Sequence, residues 1–393
     1  MFKLKTIPED FIVKEVIDLK VKDRGSYAYF LLKKKNWSTL KAVEAVAKAL
    51  RVDNKKITTA GMKDKHGITE QYCCIKHFDL KDLQNLTIKD ITLTPVGYGN
   101  KRIGVGSLSS NQFTITVRNL EQPLQPLSIS PNYYDDQRFG EIRPNTHIVG
   151  KYLLQRNYEQ AMKVYLGKPY LTETPDHRTW RENIEKNWGT FTPEVARGMH
   201  YEKFILYVLQ AHPTAYIDAF ATLPRQLLTL FIQAYQSYLF NKILNSYIEK
   251  NYTETKTLHT VAGDYTTTTT INPEDKTLEL PMPGYTKYEA HHTIHKITEE
   301  LLKRERVQAK NFENKKWEAM SSKTLMRKAF INIKELELGK LEDDELNKNK
   351  KKQVVQFKLQ KGSYATMVIK NMYAYSENPQ PFKLLGYLSS YGQ

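Results

Sequence analysis

The chain predicts an α+β fold in which a helical block interrupts a sheet-bearing domain. Three observations carry that expectation. Strand and helix signals alternate over roughly the first 150 residues, long helical segments fill about 150 to 325, and strand signals return over the remainder.

The elements follow in order. After Asp23-Arg24-Gly25, Tyr27 to Leu32 is rich in β-formers. Leu40, Val43, Ala47 and Leu50 are apolar at helical spacing, with Ser38 placed to cap that helix. Glu70 to Ile75 reads as a strand, and so does Phe113 to Val117, where Phe113, Ile115 and Val117 alternate with Thr114 and Thr116. In the middle block, Leu227 to Leu244 is the strongest helix, with Leu227, Leu230, Phe231, Ala234, Tyr238 and Leu239 on one face. Thr-rich Tyr265 to Thr270 precedes a turn-rich connection from Leu278 to Tyr285, and Glu299 to Lys316 reads as a charged helix. Finally, Phe330 to Leu336 and Val354 to Leu359 alternate with a two-residue period. They flank Lys340 to Lys352, whose charge suits a solvated hairpin loop with lysines in reach of RNA. The expected division is 1–153, 154–326 and 327–393, one domain in two parts around an insertion.

Composition narrows the function. The 59 Lys and Arg outnumber 43 Asp and Glu, a net charge of +16 that points to a polyanion such as RNA or DNA. Solubility or base composition would produce the same excess without a nucleic-acid partner. The 25 tyrosines suit base stacking, although most belong to core and surface. Cys73 and Cys74 are too few for a disulfide framework or a four-thiolate zinc site and read as inert thiols in a buried strand. A reducing, cytoplasmic setting fits them. The N-terminal residues lack the apolar run of a signal peptide, and the most apolar later stretches are too short to span a bilayer.

One carboxylate stands out. In Ala60-Gly-Met-Lys-Asp-Lys-His-Gly-Ile-Thr-Glu-Gln71, Asp64 lies between Lys63 and Lys65, whose charges favour its ionised form. Gly61 and Gly67 bracket it and allow tight backbone. An Asp in a turn is more often a cap than a catalyst, and His66 has no second His at metal-ligand spacing. Gly104 to Ser110 lacks the Gly-Lys-Ser/Thr ending of a phosphate loop and precedes a strand. Asp135-Asp136 resembles a metal-binding pair without further ligands. Asn132-Tyr-Tyr-Asp-Asp-Gln-Arg-Phe-Gly140 mixes aromatic, amide and cationic groups that could hold an unpaired base, or pack under the sheet.

Five segments in this order resemble the TruD-type pseudouridine synthases: Pro8 to Glu15, Ala60 to Gln71, Asn132 to Gly140, Ala234 to Asn241 and Lys361 to Met367. The resemblance implies a mixed, largely antiparallel sheet flanked by helices, with a mostly helical family-specific insertion. It also implies isomerisation of uridine to pseudouridine in tRNA, at uridine 13, with the target base flipped out and no metal or other cofactor. Carried over residue by residue, the catalytic aspartate falls on Asp64 and its basic partner on Lys5. The active-site asparagine falls on Asn132 and the aromatic residue on Tyr134. Lys63, Lys65, Gln137, Arg138 and Phe139 are the expected RNA contacts, and a cytoplasmic monomer is the expected state. Departures are Tyr134 for the family's usual Phe, Asp135 for a Gly, and Ser110 for a Gly. Two other classes stay open: a catalytically idle RNA-binding or RNA-chaperone protein on the same fold, and a nucleic-acid N-glycosylase using a similar carboxylate.

Overall fold

A computed structural model describes residues 2–83 and 86–376. Met1 of the expected 1–153 segment and the part of 327–393 beyond Ser376 lie outside the described residues. The described chain divides into two compact units, one formed by residues up to Ser130 together with Ile331 onward, the other by Pro131–Phe330. These borders differ from the expected 153/154 and 326/327. The helix Thr146–Leu154 packs on the long helix Arg225–Asn251, and this holds residues 131–153 with the helical block.

The first unit is built on an eight-stranded mixed sheet. Its strands include β1 (Phe11–Val16), β2 (Tyr27–Lys35), β3 (Ile57–Thr59), β4 (Ile68–Lys76), β5 (Ile91–Gly99) and β6 (Ser110–Leu120). With the hairpin strands Lys334–Asp343 and Lys351–Gln360, the order is 334–343, 351–360, β6, β1, β4, β2, β5. β1 and β4 are parallel, while the other pairings in this sheet are antiparallel. One edge of β4 is shared: β1 pairs with it at Ile68 to Glu70, and β3 at Cys73 to Ile75. The 60–67 loop therefore leaves β3 and re-enters β4 beside the start of β1.

The helix Thr39–Leu50 closes one face of this sheet, capped by Ser38, whose Oγ accepts from Lys41 N. Ala42, Val46 and Ala47 from that helix bury Phe30, Leu32, Cys73 and Ile75. The adjacent cysteines point to opposite faces, both covered, and burial pushes the Cys73 thiol up. Near the other strand ends, Phe113 stacks on Phe357 and meets Phe11 edge-on.

The 340–352 link is a hairpin tip, as the charges suggested: Glu342 lies opposite Lys352 and Asp343 opposite Lys351, and mostly exposed residues 344–350 join the two strands. Asp344 reaches inward because Arg118 is buried there: Arg118 donates to Asp10 at 2.8 Å and to Asp344 at 2.9 Å. Burial opposes the Asp344 charge, but hydrogen bonds from Asn119 N, Asn347, Leu346 N and Arg118 outweigh it and pull its pKa to about 2.

The second unit is organised by the Arg225–Asn251 helix, longer than the predicted 227–244. Its burial is not one stripe. Phe231, Ile232, Ala234, Tyr235, Leu239, Phe240, Ile243 and Leu244 are all buried, whereas Leu230, expected on the apolar face, is exposed. A helix hydrophobic on most sides is an interior helix, and it packs on Thr146–Leu154, on His292–Arg304 and on the strand Glu279–Met282. That strand replaces the expected turn-rich connection and pairs with Leu325–Lys328. The charged helix runs from His292 to Arg304 and stops well before Lys316, with Arg306 in the left-handed region. No described helix is long and apolar enough to cross a membrane.

Candidate active site

In the first unit, Asp64 lies in the loop between β3 and β4. Its Oδ1 accepts from Lys5 Nζ at 3.1 Å, with the two side chains 24% and 21% exposed. Both therefore keep a face toward solvent. Lys5 precedes β1, sits in the left-handed region at φ 55°, and holds its ammonium 4.3 Å from the centre of the Phe11 ring. Gly67 closes the loop at φ 144°, where a Cβ would come within 2.5 Å of Phe11 O, so glycine is required. Gly61, by contrast, has room for a Cβ.

The backbone of this loop is held by polar side chains that are themselves buried. Lys34, from β2, donates to Asp64 O at 2.7 Å and to Trp37 O at 2.6 Å. Thr39 Oγ1 accepts from Lys63 N at 2.9 Å and donates to Gln71 Oε1 at 3.0 Å, while Gln71 Nε2 donates to Gly61 O at 3.2 Å. Lys34 has 0% exposure. Burial pushes its pKa down to about 8; Asp64 raises it and Lys63 lowers it further.

The structure corrects the reading of Lys63. It does not face phosphates: its ammonium pairs with Glu15 Oε2 at 2.8 Å, the side chains 7% and 0% exposed, and also donates to Asn111. Glu15 shares the inward face of β1 with Phe11 and Val13. A carboxylate buried there must be paired, and Lys63 supplies the charge. Lys65 and His66 are exposed.

The second unit carries the other predicted residues. Asn132 is buried, and its amide is engaged at both ends: Nδ2 donates to Lys328 O at 2.9 Å and Oδ1 accepts from Arg327 at 2.7 Å. Tyr134 is clamped by Asn241, which accepts from Tyr134 N at 2.8 Å and donates to Tyr134 O at 2.9 Å. The Tyr134 ring meets Phe240 edge-on at 5.8 Å, and the Arg327 guanidinium lies 4.1 Å from its centre. Gln137 is exposed. Arg138 donates to Ser237 Oγ at 3.0 Å and is thereby tied to the long helix.

Phe139 requires a second correction. It has 0% exposure and packs edge-on against His147, so it supports the loop from beneath and does not present a surface to RNA. Burial pushes His147 down to about 3, aided by the charges of Lys242, Lys168 and Lys151, so the ring under the loop is neutral. Asp135 is buried, and Asp136 accepts from Val261 N; the acidic pair organises the loop.

Two groupings thus emerge, Lys5 with Asp64 in the first unit, and Asn132, Tyr134 and Arg138 in the second. Sequence reasoning missed Lys34, Arg327 and the clamp role of Asn241. Lys34 carried a signal: it continues the Ala28, Phe30, Leu32 alternation onto the inward face of β2.

A mixed sheet with a helical insertion is the architecture that the resemblance to the pseudouridine synthases implies. A family model described as tRNA pseudouridine synthase D (TruD) matches residues 2–372. The chain belongs to that family. Among relatives described as probable tRNA pseudouridine synthase D, that of Methanopyrus kandleri is 33% identical, covering 89% of this chain and 86% of the relative. That of Pyrococcus abyssi is 32% identical, covering 94% and 95%. The crystal structure of the Methanosarcina mazei protein assigned to TruD superposes with a TM-score of 0.73 at 29% identity, covering 94% of this chain and 93% of that one.

Proposed function

We propose that this chain isomerises uridine 13 of tRNA to pseudouridine, with Asp64 as the catalytic carboxylate. The reaction breaks the N1–C1′ bond, rotates the base, joins C5 to C1′, moves the C5 proton to solvent and leaves N1 protonated. Atoms and electrons balance without a redox partner. Positive charge develops at C1′ as the glycosidic bond breaks, and a carboxylate in reach can stabilise or trap it. The observation that carries the reading is the Lys5–Asp64 ion pair, formed by residues far apart in sequence and left partly open to solvent.

Lys5 orients the carboxylate. Tyr134 serves as the aromatic platform for the flipped base, and Asn132 braces it through Arg327. Lys65, Gln137 and Arg138 contribute to RNA binding together with the chain's excess positive charge. The protein acts as a monomer in the cytoplasm and takes no cofactor.

The test is Asp64→Asn assayed with tRNA carrying 5-tritiated uridine. Tritium release and pseudouridine formation are expected to vanish while tRNA binding changes little. Retained turnover would remove Asp64 from the mechanism. RNA binding by the unmodified protein with no tritium release would favour an idle RNA-binding protein, and free base in the products a glycosylase.

A further inference from the structure

We propose that Lys34 is the positioning residue of this site: its buried ammonium tethers the backbone of Asp64 and supplies a fixed positive charge beneath the carboxylate. The inference rests on Asp64 being the catalytic carboxylate. Three observations lead to it.

The first is where Lys34 lies. Ala28, Phe30 and Leu32 fill the same inward face of β2, so an apolar side chain would continue that core. An ammonium with 0% exposure costs several kcal/mol to desolvate, a cost that an apolar side chain continuing the core would not carry. The second is what it holds. Its two short hydrogen bonds go to Trp37 O and Asp64 O, joining the turn after β2 to the loop that carries the acid. The third is the charge itself: Asp64 raises and Lys63 lowers its pKa, so Lys34 and the Asp64 carboxylate act on each other. The other neighbours that fix the loop, Thr39 and Gln71, are uncharged, and Lys63 is itself neutralised by Glu15.

These two roles separate with pH. A neutral amine keeps two N–H donors, enough for both carbonyls, whereas the charge is lost as pH rises through about 8. The tether therefore survives alkaline conditions and the field does not. A catalytic group displaced by about 1 Å costs on the order of a hundredfold, which sets the size of effect expected when the tether goes as well.

The experiment compares wild type, Lys34→Met and Asp64→Asn for pseudouridine formation in tRNA between pH 6 and 9.5, with tRNA Kd and Tm alongside. Lys34→Met is expected to lose about a hundredfold in kcat, with Kd within about twofold and Tm lowered only modestly, because the lost hydrogen bonds to Trp37 O and Asp64 O are partly offset by removal of a buried charge. Wild-type kcat is expected to fall above pH 8, and Lys34→Met to lack that limb. Turnover of Lys34→Met within about threefold of wild type, with Asp64→Asn inactive, would overturn the role of Lys34 and leave Asp64 standing. Turnover by Asp64→Asn, or no turnover by wild type, would overturn both. If Lys34→Met does not fold, Lys34→Gln, which keeps N–H donors without the charge, decides: a loss of kcat of about tenfold or more with Kd held supports the role, and turnover within about threefold of wild type overturns it.

Discussion

The Asp64 loop and the Asn132–Gly140 loop have their backbones held by different means. Around Asp64 the restraints are charged: Lys5 on the carboxylate, Lys34 on its carbonyl, and the Lys63–Glu15 pair beside them. Around Tyr134 the backbone is clamped by the neutral amide of Asn241, and Phe139 is seated on a neutral His147. The difference follows from what each loop presents. A carboxylate must be aimed and electrostatically supported, and charges placed in a low-dielectric setting do both. The Tyr134 backbone is instead seated by neutral hydrogen bonds and ring packing, and the charge near it, the Arg327 guanidinium, lies over the ring and braces Asn132.

The largest expected effect lies on the charged side. Asp64→Asn should lower kcat by about a thousandfold or more with Tm nearly unchanged, as read by tritium release and thermal unfolding. Equal losses in activity and stability would mean that the loop is merely structural. Next, Lys63→Met should destabilise by about 3–5 kcal/mol, because the buried Glu15 carboxyl would lose its ion-pair partner in the core. The double variant Lys63→Met, Glu15→Leu should recover much of that loss in denaturant titrations. A Lys63→Met protein as stable as wild type, with weaker tRNA binding, would restore the phosphate-facing role first assigned to that lysine.

On the neutral side, Asn241→Ala should cost about 2–3 kcal/mol, since Tyr134 N and O both lose their partner. Its kcat should fall further than its tRNA affinity. The smallest effect sharpens the contrast through pH. His147 has a folded pKa of about 3, below its unfolded value of about 6.5. Its contribution to stability is therefore fully present above about pH 6.5 and is lost as pH falls toward 3, at about 1.4 kcal/mol per pH unit. The Asp344 carboxylate on Arg118 behaves alike at lower pH, present above about 3.8 and lost toward about 2. Acid should thus loosen the neutral seat under Phe139 before the Arg118 network, and His147→Phe should flatten the stability curve between pH 4 and 6.5. An unchanged slope in that variant would place the acid-sensitive group elsewhere.

Much of the architecture was legible because it rests on local periodicity. The alternation of Phe113, Ile115 and Val117, the Ser38 cap and the apolar spacing after it each describe a segment facing one neighbour, and each forms where expected. Reading failed where the neighbours lie elsewhere in the chain. Lys340 to Lys352 forms the expected charged hairpin tip, but Asp344 within it turns inward to the buried Arg118, which its own segment does not reveal. Leu278 to Tyr285 looked like a turn because of its prolines, yet Pro281 lies in a strand opposite Met326.

The same division runs through the site. Sequence alone singled out Asp64 and, through the likeness of five segments, its partner Lys5 and the Asn132–Gly140 loop. Tertiary structure decided which cations are spent in the interior and which remain available. Among the lysines near the acid, Lys63 is consumed by Glu15, Lys34 is buried on two carbonyls, Lys65 is exposed, and Lys5 reaches the carboxylate. A lysine reads alike in sequence whether it meets water, a buried acid or a backbone oxygen, because its environment is set by strands that pair from distant parts of the chain.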